Sequence, residues 1–281
     1  MRNSEEKRFN AWGLSLAARY WPGEGTTIVA VHGWLDNANS FEPLAQHFSN
    51  PFLAIDVAGH GLSEHRPADV ATHYIDHVRD VFAIVDAQGW DQFILLGHSM
   101  GAGLACMFAA TFPERVQRLV LIEGLGPPST NPEKAPETLR KAIGDMQQLR
   151  EKKKPVYREK SAAITARMSG FGGLDEASSE CLCERGLQVV DGGWTWRADS
   201  RLRLTSSMRL TEAQIGGFLR AIKAPALLVL GEQGMGGTGM FDDRVNWIET
   251  LRVERLEGRH HLHMENAESV FQAISAFLTT A

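Results

Sequence analysis

Ser99 stands at the centre of Gly97-His98-Ser99-Met100-Gly101, directly after the apolar run Phe93-Ile94-Leu95-Leu96. A glycine two positions to either side suits a sharp strand-to-helix reversal, because a Cβ at those positions would collide with neighbouring elements. Such a turn exposes the serine hydroxyl at the edge of a sheet. The helix that follows begins at Met100, and its first N–H groups point to where an oxyanion would form. The chemistry this arrangement suits is nucleophilic attack on a carbonyl with a covalent acyl-serine intermediate. The plain alternative is a tight turn with no chemistry, and the partners available elsewhere in the chain decide between the two.

A serine hydroxyl needs a base. Among ten histidines, His260 in Gly258-Arg259-His260-His261-Leu262-His263-Met264-Glu265 is the best placed. It follows the last strand-like run and precedes the last helical one, so it falls on a loop at the same sheet edge as Ser99. His261 and His263 are its rivals. His47, His65, His73 and His77 lie in helical or loop patterns and are expected to face solvent. A third group must orient the imidazole. A carboxylate is expected about three residues past Gly231, but that position holds Gly234. Glu123, at the end of Arg118-Leu119-Val120-Leu121-Ile122, is the first choice; Glu232, Asp242 and Asp243 are the alternatives. After the first central strand, Val31-His32-Gly33-Trp34 can supply a second oxyanion donor through the Trp34 N–H, leaving its indole, with His98, to line a substrate pocket.

The elements that must position these groups alternate. Short apolar, β-branched runs at 26–33, 52–61, 93–99, 118–124, 226–232 and 252–258 read as buried strands. Between them, Tyr74, Val78, Val81, Phe82 and Val85 form one apolar helix face, as do Val270, Phe271, Ile274, Phe277 and Leu278. This order implies βαβ units: an α/β fold with a mostly parallel central sheet and flanking helices. Residues 13–21 read as an antiparallel edge strand. Residues 127–222 break the rhythm with a proline-rich opening and helical stretches such as 136–151 and 211–222. They hold 16 basic against 12 acidic residues, +4 in a chain of net charge −5, and that shift marks an insertion. The expected organisation is core 1–126, helical cap 127–222 inserted after the sixth core strand, and core 223–281. The run 150–155 is expected to be a solvated helix end. No internal repeat is visible.

The acidic balance and pI near 6.1 argue against a nucleic-acid partner. No apolar run reaches the roughly 18 residues a membrane span needs. The polar start, residues 1–10, lacks the apolar segment of a signal peptide. Three cysteines make no disulfide framework. A cytoplasmic protein is expected. Cys181 and Cys183 have no ligand partners nearby in sequence, so no metal and no cofactor is expected. The stretch Gly234-Met235-Gly236-Gly237-Thr238-Gly239 fits a dinucleotide pattern, with Glu257 further on, but a lone pattern of this kind is weak and reads as a flexible loop.

Residues 32–34 (HGW), 56–63 (DVAGHGLS), 97–101 (GHSMG) and 258–265 (GRHHLHME), in that order, resemble the α/β-hydrolase superfamily over nearly the whole chain. HGWLDN with IEGLGP is most similar to its serine hydrolase-like branch. The resemblance implies Ser99 as nucleophile, His260 as general base and acid, and the Trp34 and Met100 N–H groups as oxyanion donors. It prefers His260 over His261 because His260 stands five residues before Glu265. It makes Asp56, Gly59, His60, Gly61 and Ser63 a structural turn. Most members carry the acid at the position of Gly234. A subset that includes haloalkane dehalogenases carries a Glu after the preceding core strand, as Glu123 does here. Dehalogenation itself needs a carboxylate nucleophile, which Ser99 is not.

The expected function is a serine hydrolase cleaving a carboxylic ester or similar small acyl substrate. Related triad chemistry (perhydrolysis, carbon–carbon hydrolysis, acyl transfer) and a catalytically silent ligand-binding protein are the alternatives. Phe171, Trp194, Trp196 and Phe218 are expected for the most part to hold the cap together.

Overall fold

The computed structural model describes residues 2–68, 70, 72–149 and 153–279. Two strands open the chain, β1 (Glu5–Ala11) and β2 (Leu14–Trp21), followed by β3 (Ile28–Val31), the short helix α1 (Glu42–Ala45) and β4 (Phe52–Ile55). Next come α2 (Asp76–Ala87), β5 (Phe93–His98), α3 (Met100–Thr111) and β6 (Val116–Ile122). The insert carries α4 (Ala135–Leu149), α5 (Lys160–Met168), α6 (Glu176–Gly186), β7 (Leu187–Val190), β8 (Gly193–Trp196) and α7 (Glu212–Ala221). The chain then returns through β9 (Ala226–Gly231), β10 (Leu251–Leu256), α8 (Leu262–Glu265) and α9 (Ala267–Thr279).

Eight strands form one sheet in the order β1-β2-β4-β3-β5-β6-β9-β10. The β1–β2 and β2–β4 pairs are antiparallel and the other five are parallel. The central strands are buried on both faces because successive side chains feed opposite layers. In β3, Val29 and Val31 enter the core beneath α2, α3 and α7, while Ile28 and Ala30 enter the one beneath α1 and α9. In β9, Leu228 and Leu230 go to the first layer, Leu227 and Val229 to the second. The apolar stripe of α2, Val78, Val81, Ile84 and Val85, is buried as its 3.6-residue spacing requires. Each such side chain contributes roughly 1.5–3 kcal/mol of transfer free energy.

Three expectations are corrected. Residues 14–21 are not the edge: β1, too charged to read as a strand, covers them, and its alternation of Phe9 and Ala11 inward with charged residues outward is an edge-strand pattern. The insert is not wholly helical, because β7 and β8 pair as a hairpin that packs Leu187 against Ala163 and Cys183. Its last helix, α7, sinks Ile215 and Leu219 into the core shared with α3, so packing draws the insert's end before α7. Of the basic run 150–155, residues 150–152 lie outside the described residues.

Candidate active site

Parallel strands present their carboxyl ends at one edge, where an open α/β sheet binds ligands. Four of those ends meet here. Ser99 follows β5, Glu123 follows β6, Gly33-Trp34 lie just beyond β3, and the loop after β10 brings His260.

Ser99 sits at φ 53°, ψ −112°, between strand and helix. For a residue with a side chain this conformation costs about 1–3 kcal/mol, which surrounding structure must offset. The Ser99 N–H donates to the Ile122 carbonyl at 2.8 Å, tying the turn to β6. The flanking glycines are obligatory: a Cβ on Gly97 would lie 2.3 Å from the Gly101 oxygen, and one on Gly101 would lie 1.9 Å from the Val31 oxygen. α3 therefore leans directly on β3 and β5.

His260 joins the two acidic and nucleophilic ends. Its Nε2 is 2.9 Å from Ser99 Oγ and its Nδ1 is 3.0 Å from Glu123 Oε2. Glu123 is buried, at φ 54°, with its own N–H donating to the Val229 carbonyl at 2.9 Å. Its carboxylate also accepts from the Gly231 N–H at 2.7 Å and the Met235 N–H at 2.6 Å. Three donors on two oxygens hold the carboxylate in place beside the imidazole. Glu232, Asp242 and Asp243, the alternatives, are exposed, and none bonds His260. Among the described residues, no acceptor stands on the N–H of Met100 or of Trp34. Two donors are thereby left free at the sheet edge beside Ser99.

The glycine-rich stretch 234–239 forms a short 3-10 turn over Met235–Thr238 that wraps the Glu123 carboxylate. The turn around Asp56 is structural as expected: the Asp56 carboxylate accepts from the Ala38 and Leu62 N–H groups and pairs with Arg185 at 2.7 Å.

Two pocket expectations change. His98 does not face a pocket: it is fully buried behind His260, with its Nε2 2.8 Å from the His260 carbonyl oxygen. Trp34 is 39% exposed and its indole N–H donates to the Leu202 carbonyl of the insert at 2.8 Å, so it braces the insert at the site's margin. Phe171, in contrast, packs edge-on against the His260 ring with centroids 5.1 Å apart, while Trp194 and Trp196 do hold the insert together. His77 is buried against Asp80, not solvent-facing.

Sequence reasoning missed a polar layer beneath the histidine. Asp36, His98, His261 and His263 are all buried there. Arg167, from α5, reaches Asp36 Oδ1 at 2.5 Å. Burial opposes ionisation of Asp36, but its interactions with His261 and Arg167 outweigh it and hold the carboxyl well below the usual range. Burial, reinforced by the neighbouring imidazoles, pushes His98 and His263 well below the ordinary histidine value. The signal in the sequence was the spacing His-His-x-His at 260–263 with an Asp four residues after His32, which singly suggest nothing. Burial raises the Cys181 and Cys183 thiols to about 12 and about 11, which makes them poor nucleophiles. No helix among the described residues is long and apolar enough to cross a membrane.

Comparison with known proteins agrees with this architecture. Residues 26–235 match the alpha/beta hydrolase fold family. A serine hydrolase-like protein of Danio rerio is 33% identical over 281 residues, covering 95% of this chain and 86% of that protein. The crystal structure of hypothetical protein PA1622 from Pseudomonas aeruginosa superposes with a TM-score of 0.94 at 40% identity, covering 98% of this chain and all of that one. A thioesterase domain from the curacin biosynthetic pathway shares the fold at a TM-score of 0.86 and 22% identity, covering 98% of this chain and 99% of its own. The chain belongs to the α/β-hydrolase family, in its serine hydrolase-like branch.

Proposed function

We propose that this hydrolase cleaves a carboxylic ester or similar small acyl substrate through an acyl-serine intermediate, with Ser99, His260 and Glu123 as the catalytic triad. The observation that carries the reading is the unbroken relay from Ser99 Oγ to His260 Nε2 at 2.9 Å and from His260 Nδ1 to Glu123 Oε2 at 3.0 Å. It ends on a carboxylate that has no exit to solvent.

His260 Nε2 takes the Ser99 proton as Oγ attacks the carbonyl carbon, and the imidazolium that forms is stabilised by Glu123. Glu123 also keeps the Nδ1 proton in place, so the lone pair points at the serine. The carbonyl oxygen becomes an oxyanion between the Met100 and Trp34 N–H groups, which need no reorganisation to receive it. His260 then returns its proton to the leaving alcohol. Water, activated by the same Nε2, hydrolyses the acyl-serine and restores the hydroxyl. The insert, acting as a cap with Phe171 on the imidazole and Trp34 at the margin, is where substrate choice resides.

The test is covalent. A fluorophosphonate probe should label the wild-type protein stoichiometrically and leave Ser99→Ala unlabelled, with hydrolysis of p-nitrophenyl esters lost in parallel. Labelling that persists in Ser99→Ala would remove the nucleophile from this reading.

A further inference from the structure

Behind the imidazole of His260, three buried atoms with lone pairs, on Asp36, His98 and His261, converge, and that of His98 is left without a hydrogen-bond partner. His98 Nε2 lies 2.8 Å from the His260 carbonyl oxygen, an atom that can only accept. The His98 ring proton therefore sits on Nε2, and Nδ1 presents a lone pair. That lone pair has no hydrogen-bond partner although it is fully buried. What it faces is Asp36 Oδ2, at 3.7 Å, beyond hydrogen-bond reach. A lone pair directed at a carboxylate oxygen in a dry interior is an unfavourable arrangement, and a cation between them reverses its sign. His261 Nε2 completes the group at 3.2 Å from the same carboxylate oxygen.

We propose that Asp36, His98 and His261 form a binding site for one divalent transition-metal ion of the zinc class, set directly behind His260. The three donor atoms all lie within 4.8 Å of one another. Zinc bonds of about 2.0–2.1 Å in a tetrahedron place ligand atoms about 3.3–3.4 Å apart, between the two separations seen here. Two imidazoles and one carboxylate are a zinc-type donor set; a calcium or magnesium site would be built of oxygens. The bond from His98 Nε2 to a backbone carbonyl is the outer contact that metal-bound histidines use to fix ring and tautomer. Room exists because Gly33 has no side chain: a Cβ there would come 2.8 Å from Asp36 Oδ2 and 2.9 Å from His98 Nδ1.

Arg167 is the competing cation. Its guanidinium holds Asp36 Oδ1 and comes 3.5 Å from His261 Nε2. A crevice of about 10 Å³, lined by Leu35, Asp36, Asn37, Arg167 and Trp196 among others, leads to this pair and admits one water-sized particle. The ion enters from that side as Arg167 swings off Asp36, so affinity is set by the exchange of one cation for another. The site does not depend on the serine chemistry, and its test keeps the two apart.

The experiment titrates chelator-treated full-length protein with Zn²⁺ by calorimetry and with Co²⁺ by visible absorption, and locates the ion by anomalous scattering at the zinc edge. One equivalent should bind, with Co²⁺ bands of a four- or five-coordinate nitrogen–oxygen site and an anomalous peak between Asp36, His98 and His261. Asp36→Asn and His261→Gln should each weaken binding at least tenfold. Ser99→Ala and the surface variants His47→Gln and His65→Gln should bind as wild type, and Arg167→Met should bind several-fold tighter. The wild-type anomalous map stands even where a buried variant fails to fold. No binding at millimolar Zn²⁺, a peak elsewhere, or affinity unchanged in folded His261→Gln overturns the proposal.

Discussion

Gly234 is empty so that Glu123 can be full: a Cβ on Gly234 would lie 2.4 Å from Glu123 Oε2. The two positions compete for one volume beside His260 Nδ1, and only one of them can carry the acid. The carboxylate reaches that volume from β6, and the loop after β9 closes over it, donating from Gly231 and Met235.

Exchange of the acid between the two positions is the direct check. Glu123→Gln should lower kcat by about 10³–10⁴-fold with little change in KM, because the amide favours the wrong imidazole tautomer. Glu232→Gln, Asp242→Asn and Asp243→Asn should stay within twofold of wild type. The double variant Glu123→Ala/Gly234→Asp should recover part of the activity lost in Glu123→Ala, whereas Gly234→Asp alone should be inactive. Steady-state kinetics on one ester decides it; equal losses in Asp242→Asn and Glu123→Gln would move the acid to the later loop.

At the strained turn, activity and stability should move in opposite directions. Ser99→Gly removes both the hydroxyl and the cost of φ 53°, so it should abolish turnover while raising unfolding free energy by about 1 kcal/mol relative to Ser99→Ala. Urea denaturation of the two variants measures the difference, and a lower midpoint for the glycine variant would contradict stored strain at this turn.

Acid should weaken the fold well before its carboxylates titrate. Burial holds His60 well below its ordinary value, and His32 below it too. Both rings stay neutral in the folded protein at pH values where the unfolded chain, near pKa 6.5, takes up protons. Stability should therefore be full above pH 7.5 and decline as pH falls below 6.5, by up to about 1.4 kcal/mol per pH unit for each ring, until the folded-state values are reached. Urea midpoints from pH 8 to pH 5 would show it; a flat profile over that range would mean that the rings are charged in the fold.

The ion pair between Arg167 and Asp36 ties the insert to the core, with both side chains largely out of water. Arg167→Met leaves the Asp36 carboxylate buried without its guanidinium partner and should cost about 3–5 kcal/mol. Adding Asp36→Asn should restore a substantial part of that loss. Thermal unfolding of the two singles and the double gives the coupling, and strictly additive losses would show the pair to be uncoupled.

Much of this was legible in the residues. The βα alternation, the elbow at Ser99, the loop histidine and the displaced acid each rest on local signals: a glycine spacing, an apolar run, a carboxylate at a strand's end. What the sequence hid was long-range. β1 reads as a charged segment because an edge strand pairs by backbone and needs few apolar residues. The β7–β8 hairpin is four residues a side and turns on Asp191 and Gly192, too short for a periodic signal. His98, expected at a substrate pocket, is instead fully buried and bonded to the His260 carbonyl, a contact that no local signal reveals. The layer of Asp36, His98 and His261 joins positions from three distant stretches, which only folding brings together.

The bond from the Ser99 N–H to the Ile122 carbonyl joins the ends of two adjacent strands. Its consequence is one of chain order. β5 and β6 are adjacent both in the sheet and in the sequence, so the positions of Ser99 and Glu123 are fixed relative to each other by local chain order. His260 lies beyond the whole insert and beyond β9 and β10, so its place beside Ser99 and Glu123 is set by long-range packing. In the proposed relay the last contact to be completed is therefore the one from His260, which depends on a segment more than a hundred residues further along the chain than Glu123.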